Sequence, residues 1–222
     1  PSLKNNITIQ HLGIAAAPEI MAYSHKVDGF VYISASHNPI GHNGVKFGLN
    51  DGGVIAAKDA NALADDFRKL CADQNCAEKA KELCSFSSSA KIDAVYKNSG
   101  KFKAKAIEAY KAFTKQVISD KTKKSEQNRF FETIKTNCKT TPITVVADMN
   151  GSARTISIDK AFFSKLGINI HAINDKPGCI VHEIIPEAEN LVHVAAEMER
   201  LQAEGHKEVV LGYMPDCDGD RG

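Results

Sequence analysis

Strand-like and helical segments alternate along residues 142–222, and this alternation constrains the fold more than any other feature of the chain. Three apolar runs are typical of buried strands, at 143–147, 168–173 and 208–214, and two amphipathic runs between them are typical of helices, at 153–166 and 189–203. Strands that alternate with helices at this spacing form parallel sheets with right-handed crossovers. The pattern therefore predicts an α/β domain over residues 142–222, beginning where Pro142 interrupts the preceding helical pattern.

Residues 1–141 carry weaker signals of the same class. Short strands are predicted at 7–9, 29–34 and 46–49, and a helix is predicted to begin at Pro18. Helical periodicity covers 58–84, where Leu63, Phe67 and Leu70 share one face, and continues over 101–117 and 119–141, whereas the polar stretch 85–100 is loop-like. We therefore predict an α/β fold of two three-layer α/β/α domains with mixed or parallel sheets, the first ending near residue 141.

The charges of the chain are nearly balanced. The 222 residues include 28 basic and 27 acidic ones, for a net charge of +1, so composition gives no argument for a nucleic-acid or membrane partner. The six cysteines have no paired CxxC spacing, which favours free thiols in a reducing cytoplasm. The lysines along the helical stripe at 101–117 favour a solvated helix face over an anionic partner, because the stripe already explains the helix: Lys101, Lys103, Lys105, Lys111 and Lys115.

A short polar loop follows the predicted strand at 29–34. In open α/β sheets ligands bind at the carboxyl ends of strands, and this loop places Ser36, His37 and Lys46 there. Ser36 is either a nucleophile that carries a phosphoryl group or a residue that shapes the turn before Asn-Pro. His37 can orient or deprotonate that serine, or stabilise the turn. Lys46 can act as a general acid–base, contact a phosphate, or be a surface charge.

A cluster of carboxylates follows the last predicted strand. Asp216, Asp218 and Asp220 alternate on a short loop, so their side chains can point the same way. Three oxygen ligands that converge suit Mg²⁺ or a similar cation, and Arg221 beside them suits a phosphate. The alternative is a solvated acidic turn, but carboxylates this close repel each other unless a cation joins them. The glycine spacing does not fit a calcium-binding EF-hand.

Taken together, these loops resemble the α-D-phosphohexomutase superfamily of phosphoglucomutases, phosphomannomutases and phosphoglucosamine mutases. The resemblance is carried by Ser-Ala-Ser-His-Asn-Pro at 34–39, Asn-Gly-Val-Lys at 43–46 and Asp-Cys-Asp-Gly-Asp-Arg at 216–221. It implies that residues 1–141 are an N-terminally incomplete first domain and residues 142–222 a second domain that ends in a metal loop. The family has four domains, including sugar-recognition and phosphate-binding ones that would lie further on, so we expect a fragment.

The resemblance also implies roles for the polar residues of both loops. Ser36 corresponds to a phosphoserine that donates and re-accepts a phosphoryl group, and Lys46 to a candidate general acid–base. The implied catalytic set is Ser36, His37, Lys46 and Arg221, and the implied Mg²⁺ ligands are Asp216, Asp218, Asp220 and the phosphorylated Ser36.

The implied reaction interconverts hexose 1-phosphate and hexose 6-phosphate, with one Mg²⁺ per site and a hexose 1,6-bisphosphate as intermediate and activator. The sugar stays open. Ile-Ser-Ala-Ser-His-Asn at 33–38 leans toward phosphoglucosamine mutases, whereas Lys-Phe-Gly-Leu at 46–49 is nearer to phosphoglucomutases. The alternative of another class is a non-catalytic fragment that binds a metal or a sugar phosphate. The sequence carries no signal of an oligomeric state.

Overall fold

A computed structural model describes residues 7–34, 36, 38–39 and 41–222. The strands are β1 (Gly29–Ile33), β2 (Val45–Leu49), β3 (Thr144–Asp148), β4 (Asn169–Ile173) and β5 (Val209–Tyr213). The helices are α1 (Ala17–Ser24), α2 (Ala57–Ala72), α3 (Cys76–Ser85), α4 (Ser89–Lys97), α5 (Ser99–Ser119), α6 (Lys124–Thr140), α7 (Asp159–Lys165) and α8 (Val192–Ala203). Short 3₁₀ helices lie at Ala153–Ile156 and Ala188–Asn190. The α/β class is therefore confirmed.

The second part of the chain forms the parallel sheet that the alternation predicts. Its strand order is β4-β3-β5, and both neighbours run parallel to β3. Every residue of β3 is buried, as expected for a strand covered on both faces. Helix α8 covers one face, where Val194 and Leu201 pack against Val146 and Val209. The carboxyl ends of these strands meet at one edge of the sheet.

The first part of the chain forms a smaller sheet. Strands β1 and β2 pair antiparallel, with Gly29 opposite Leu49 and Ile33 opposite Val45. One face of this two-stranded ribbon is apolar and between 37% and 70% exposed: Val31, Ile33, Val45, Phe47 and Leu49. The other face carries Tyr32 opposite Lys46, with the lysine ammonium 5.8 Å from the centre of the tyrosine ring. Both predicted strands are confirmed, and the polar face of the ribbon leads to the site.

Helices connect the two sheets. Helix α1 packs along α5, where the buried Glu19 of α1 pairs with Lys103. A second apolar cluster joins α5 and α6 to the region of α7: Tyr110, Phe131, Ile158, Phe162 and Leu166. Packing therefore continues across residue 141, and the division of the chain into domains at that point stays a prediction. Within the described residues, no helix has both the length and the apolar character that crossing a membrane requires.

Several local predictions are wrong. The strand predicted at 7–9 is absent, because residues 7–12 form no regular structure. The loop predicted at 85–100 contains α4, whose first turn is capped by the side chain of Ser88 accepting from the Lys91 N–H. The helix predicted over 58–84 is broken into α2 and α3, since the Asp73 carboxylate accepts from the Asn75 N–H and closes a turn between them.

Two further differences concern helical periodicity. The stripe of Leu63, Phe67 and Leu70 is real, but these side chains are 46%, 67% and 60% exposed, and α2 buries no residue. The predicted helix 153–166 opens as a 3₁₀ turn and becomes α-helical only at Asp159. Gly167 ends it with a positive φ of 74°, as predicted for the position after a helix.

Candidate active site

The two polar loops meet, although 180 residues separate Ser36 from Asp216. The Ser36 hydroxyl donates a hydrogen bond to Asp216 Oδ2 at 3.0 Å. Beside it, the Ser34 hydroxyl donates to Asp218 Oδ2 at 2.6 Å, and the Lys46 ammonium lies 2.9 Å from the same oxygen. One loop follows β1 and the other follows β5, so the site lies where the ends of the two sheets approach each other.

The backbone of the serine loop is strained at Ser36. This residue has a φ of +53°, in the left-handed region that residues other than glycine rarely adopt. The Ser34 hydroxyl stabilises that conformation, because it accepts a hydrogen bond from the Ser36 N–H at 2.9 Å. Ser34 thus supports Ser36 and binds Asp218 at once. Backbone strain of this kind persists where surrounding contacts hold it in place, and such residues cluster at functional sites.

The aspartate loop is held by its own backbone. Asp216 Oδ1 accepts hydrogen bonds from the N–H groups of Gly219, Asp220 and Arg221, at 2.9 Å, 3.2 Å and 3.3 Å. The Asp216 N–H in turn donates to the Arg221 carbonyl. From outside, the Ala17 N–H at the start of α1 donates to the Asp218 carbonyl at 2.8 Å. One oxygen of Asp216 therefore shapes the loop, and its other oxygen faces Ser36.

Arg154 anchors the aspartate loop through a hydrogen bond to its backbone. Its guanidinium donates to both oxygens of the buried Asp159, at 2.8 Å and 2.5 Å, and to the Gly219 carbonyl at 3.1 Å. Gly219 has a φ of +73°, and a Cβ there would lie 2.4 Å from Arg154 Cγ. Only glycine fits that position. The Tyr213 hydroxyl also donates to Asp159, so the anchor is tied to the end of β5.

The pKa values of the two buried carboxylates, Asp216 and Asp218, are shifted in opposite directions. Burial raises the pKa of Asp216, and the negative charge of Asp218 raises it further. Burial also acts to raise the pKa of Asp218, but the hydrogen bond from Ser34 and the charge of Lys46 outweigh it and lower that pKa. Burial and the charge of Asp218 raise the pKa of the Tyr32 hydroxyl beyond its ordinary range, so this residue stays neutral.

The donor set fits a hard divalent cation. Asp216, Asp218 and Asp220 each offer a carboxylate oxygen, and these oxygens lie within 4.8 Å of one another. Asp218 Oδ1 is buried, and among the described residues it has no hydrogen-bond partner. A buried carboxylate oxygen without a partner is costly, and a cation bound there would satisfy it. Oxygen ligands in this number suit Mg²⁺ when phosphate or water completes the shell.

The predicted site residues fall into three groups. The structure brings together Ser36, Lys46, Asp216 and Asp218, and it places the exposed Asp220 on the same loop. Arg221 lies at the end of that loop, where its backbone bonds to Asp216. His37 lies outside the described residues. The chemical roles of all seven stay predictions.

Three contributors are absent from the predicted set. Ser34 belongs to the same motif as Ser36, but alternation along the loop does not tell which serine turns toward Asp218. The sequence identifies Tyr32 only as part of a predicted strand, and nothing in it indicates that this residue lines a site. Arg154 carries no signal at all, since an arginine in a polar turn is ordinary.

A cavity of about 460 Å³ opens between the two loops, and its lining includes Tyr32, Ser34, Ser36, His42, Asn43 and Asp218.

The fold and the site together define a mixed α/β protein in which a strained serine faces a cluster of three carboxylates. Residues 2–73 match the family described as phosphoglucomutase/phosphomannomutase, alpha/beta/alpha domain I. The match includes Ser36 and Lys46, and over residues 2–73 it agrees with the resemblance to the phosphohexomutase superfamily that the motifs predict.

One solved structure similar to the chain is described as a "putative phosphomannomutase from Thermus Thermophilus". The two are 19% identical, with a TM-score of 0.46, over 93% of this chain and 38% of that one. The chain thus spans less than half the length of that protein. No curated protein matches the sequence.

Proposed function

We propose that the chain is part of a Mg²⁺-dependent phosphohexomutase that acts through a phosphorylated Ser36. The observation that carries the proposal is the 3.0 Å hydrogen bond between the Ser36 hydroxyl and Asp216. The hydroxyl that would carry the phosphoryl group thus lies against a carboxylate cluster whose oxygens fit a cation. On this proposal residues 1–141 and 142–222 correspond to the first two domains of the enzyme, and hexose phosphate is the substrate class.

The reaction consists of two phosphoryl transfers. In the first, the bond between phosphorus and Ser36 Oγ breaks while a hydroxyl oxygen of the hexose phosphate bonds to that phosphorus and loses its proton. The product is a hexose bisphosphate, which turns over in the site. In the second, Ser36 Oγ loses its proton and bonds to the phosphorus of the sugar's other phosphate, while the bond from that phosphorus to the sugar oxygen breaks. The sugar oxygen takes up a proton, and the phosphoserine is restored. No water is consumed, so the two transfers together isomerise the substrate.

Different residues of this chain have different proposed roles in the two transfers. Ser36 holds and accepts the phosphoryl group, and Ser34 keeps the Ser36 backbone in its strained conformation. Lys46 is the candidate acid–base, and its contact with Asp218 holds the ammonium at the edge of the site. Asp216, Asp218 and Asp220 would hold Mg²⁺, which when bound offsets negative charge on the transferring group. Positioning and electrostatics supply most of the rate in such reactions.

Intact-mass analysis of freshly prepared protein tests the proposal. We expect an added mass of about 80 Da, the mark of one phosphoryl group, that Ser36→Ala removes and Ser89→Ala, an exposed-serine control, leaves in place. Incubating the unphosphorylated protein with glucose 1,6-bisphosphate should restore that mass. Protein that is never modified and accepts no phosphate from the bisphosphate would overturn the enzyme proposal and favour a non-catalytic, metal- or sugar-phosphate-binding role.

A further inference from the structure

Helices α5, α6 and α7 enclose a second cavity, of about 540 Å³, that shares no lining residue with the cavity beside Ser36. Its floor is apolar and belongs to the core, since Phe131, Phe162 and Leu166 are each less than 10% exposed. Its walls are basic: Lys111 and Lys115 on α5, Lys135 on α6 and Lys165 at the end of α7. We call this cavity the basic pocket.

The structure divides the lysines of α5 into separate groups. Lys103 turns to the buried Glu19 of α1. Lys101 and Lys105 lie over the ring of Phe102, at 6.0 Å and 5.4 Å from its centre. Lys111 and Lys115 line the basic pocket, where the Lys115 ammonium lies 5.8 Å from the centre of the Phe131 ring. A uniformly solvated helix face does not describe this arrangement, because one end of the helix gathers its charges into a concave surface.

The positive charge of the pocket is only partly balanced. Glu108 lies 3.2 Å from Lys111, and Glu132 lies 3.7 Å from Lys135. Both carboxylates are at least 70% exposed, so water screens these pairs. Counting these two pairs as neutral leaves the charges of Lys115 and Lys165, about two positive charges around one cavity.

Lys111 and Lys165 both line the basic pocket, one from α5 and one from the end of α7. The proximity of the Lys111 ammonium lowers the pKa of Lys165, and the charge of Lys115 adds to the effect. The charge of Glu108 acts in the opposite direction. Ammonium groups that line one cavity repel each other, and an anion bound between them would remove that repulsion.

We propose that the basic pocket binds a small polyvalent anion of the phosphate class, separately from the site at Ser36. Lysine is a common point-charge ligand of phosphate, and Lys111, Lys115 and Lys165 can surround one phosphoryl group. A dianion matches the charge that the two carboxylates leave uncompensated. The apolar floor favours a phosphorylated small molecule over a fully hydrated ion. An extended acidic peptide fits less well, because the charges line a cavity instead of a groove.

Calorimetric titration with pyrophosphate tests the proposal, with EDTA present so that no divalent cation takes part. We expect the wild-type chain to bind, and the double variant Lys111→Gln, Lys165→Gln to bind at least tenfold more weakly. The matched control is Lys101→Gln, Lys105→Gln, which removes two lysines of the same helix without touching the pocket. Lys46→Gln reports on the other site and should leave this binding unchanged.

A second measurement follows the lysines directly. In protein reductively methylated with ¹³C-formaldehyde, the Lys165 resonance should titrate at a lower pH than is ordinary for a lysine. Pyrophosphate should move that midpoint upward. Absence of binding, equal losses in the two double variants, or binding that Lys46→Gln removes would overturn the proposal. A preference for a poly-glutamate peptide over pyrophosphate would overturn the small-anion class.

Discussion

The two loops of the candidate active site rest on very different supports. The aspartate loop follows a strand of the three-stranded sheet, whose central strand β3 is buried throughout, and Arg154, Ala17 and its own backbone hold it. The serine loop follows β1, in a ribbon of two strands whose apolar face is exposed. Segments with few buried apolar contacts open at lower free energy than the core. The carboxylates are therefore presented on a stable element and Ser36 on a weaker one.

This difference has a consequence for assembly of the site. Isolated two-stranded ribbons are marginally stable, so the ribbon depends on what packs against it. Ser36, Ser34 and Lys46 all reach the aspartate loop through polar contacts, and those contacts bind the weaker element to the stronger one. A cation that neutralises the carboxylates would weaken the attraction of Lys46 for Asp218. We expect the serine side, more than the aspartate side, to respond to what the site holds.

The largest expected effect compares two leucines on helices. Leu201 of α8 is 8% exposed in the core beside β3, whereas Leu63 of α2 is 46% exposed. Replacing the buried side chain leaves a cavity, so Leu201→Ala should lower the free energy of unfolding by about 2–5 kcal/mol. Leu63→Ala should change it by no more than about 0.5 kcal/mol. Urea unfolding measures both changes. A large loss of stability in Leu63→Ala would contradict the expected difference and show that α2 is covered in solution.

The next effect concerns the anchor of the aspartate loop. Arg154→Ala removes the donor to the Gly219 carbonyl and leaves the buried Asp159 without its guanidinium. Residues that orient metal ligands from behind are typically worth about 10–100-fold in metal affinity. We expect Mg²⁺ binding, followed by calorimetry, to weaken by that factor.

Arg200 provides the control for Arg154. It lies on α8, where it pairs with Glu197 and Glu204 on an exposed face, so Arg200→Ala should leave Mg²⁺ affinity unchanged. Equal affinities for wild type and Arg154→Ala would mean that the loop holds its conformation without this anchor.

A smaller effect depends on pH. The pKa of Asp216 is raised in the folded chain, so at neutral pH ionisation of this group opposes folding. In EDTA, Asp216→Asn should therefore be more stable than wild type at pH 7, since the amide oxygen can still accept the backbone bonds. The advantage should vanish as the pH falls below the ordinary pKa of an aspartate, where both states bind the proton.

Mg²⁺ should reverse the order of stability, so that wild type becomes more stable than the Asp216→Asn variant. With the proposed Mg²⁺ site, wild type should gain stability from cation binding, and the Asp216→Asn variant, which lacks one of the proposed ligands, should gain less. Thermal unfolding with and without Mg²⁺ measures both arms. An Asn variant that is less stable than wild type in EDTA at pH 7 would contradict the raised pKa.

The smallest effect concerns thiol reactivity and leaves stability unchanged. Burial raises the pKa of Cys217, and the charges of Asp216 and Asp218 raise it further. At pH 8 this thiol should react with iodoacetamide more slowly than the exposed Cys179. Peptide mass spectrometry after timed labelling gives both rates. Equal rates would indicate that the aspartate loop is more open than its hydrogen bonds suggest.

Much of the second part of the chain is predictable from sequence because its signals are local. A run such as Thr-Val-Val-Ala before Asp148 is apolar on both faces, and a strand of that kind is covered on both sides. Gly167 and Gly219 both have positive φ, at the end of a helix and inside the aspartate loop. In the first part the same rules fail. Leu63 follows helical periodicity but is not buried, because periodicity identifies a face without identifying what covers it.

The parallel sheet and the position of two polar loops at strand ends follow from the sequence alone. The sequence also identifies which residues in those loops are candidates for nucleophilic, basic and metal-binding roles. These properties follow from neighbours along the chain, from the period of apolar residues and from the few residues that turns accept. The tertiary structure was needed to show that Ser34 bonds to Asp218, that Arg154 holds Gly219, and that Lys111 and Lys165 line one cavity. Such pairs lie on separate elements, and the packing of those elements sets their distance.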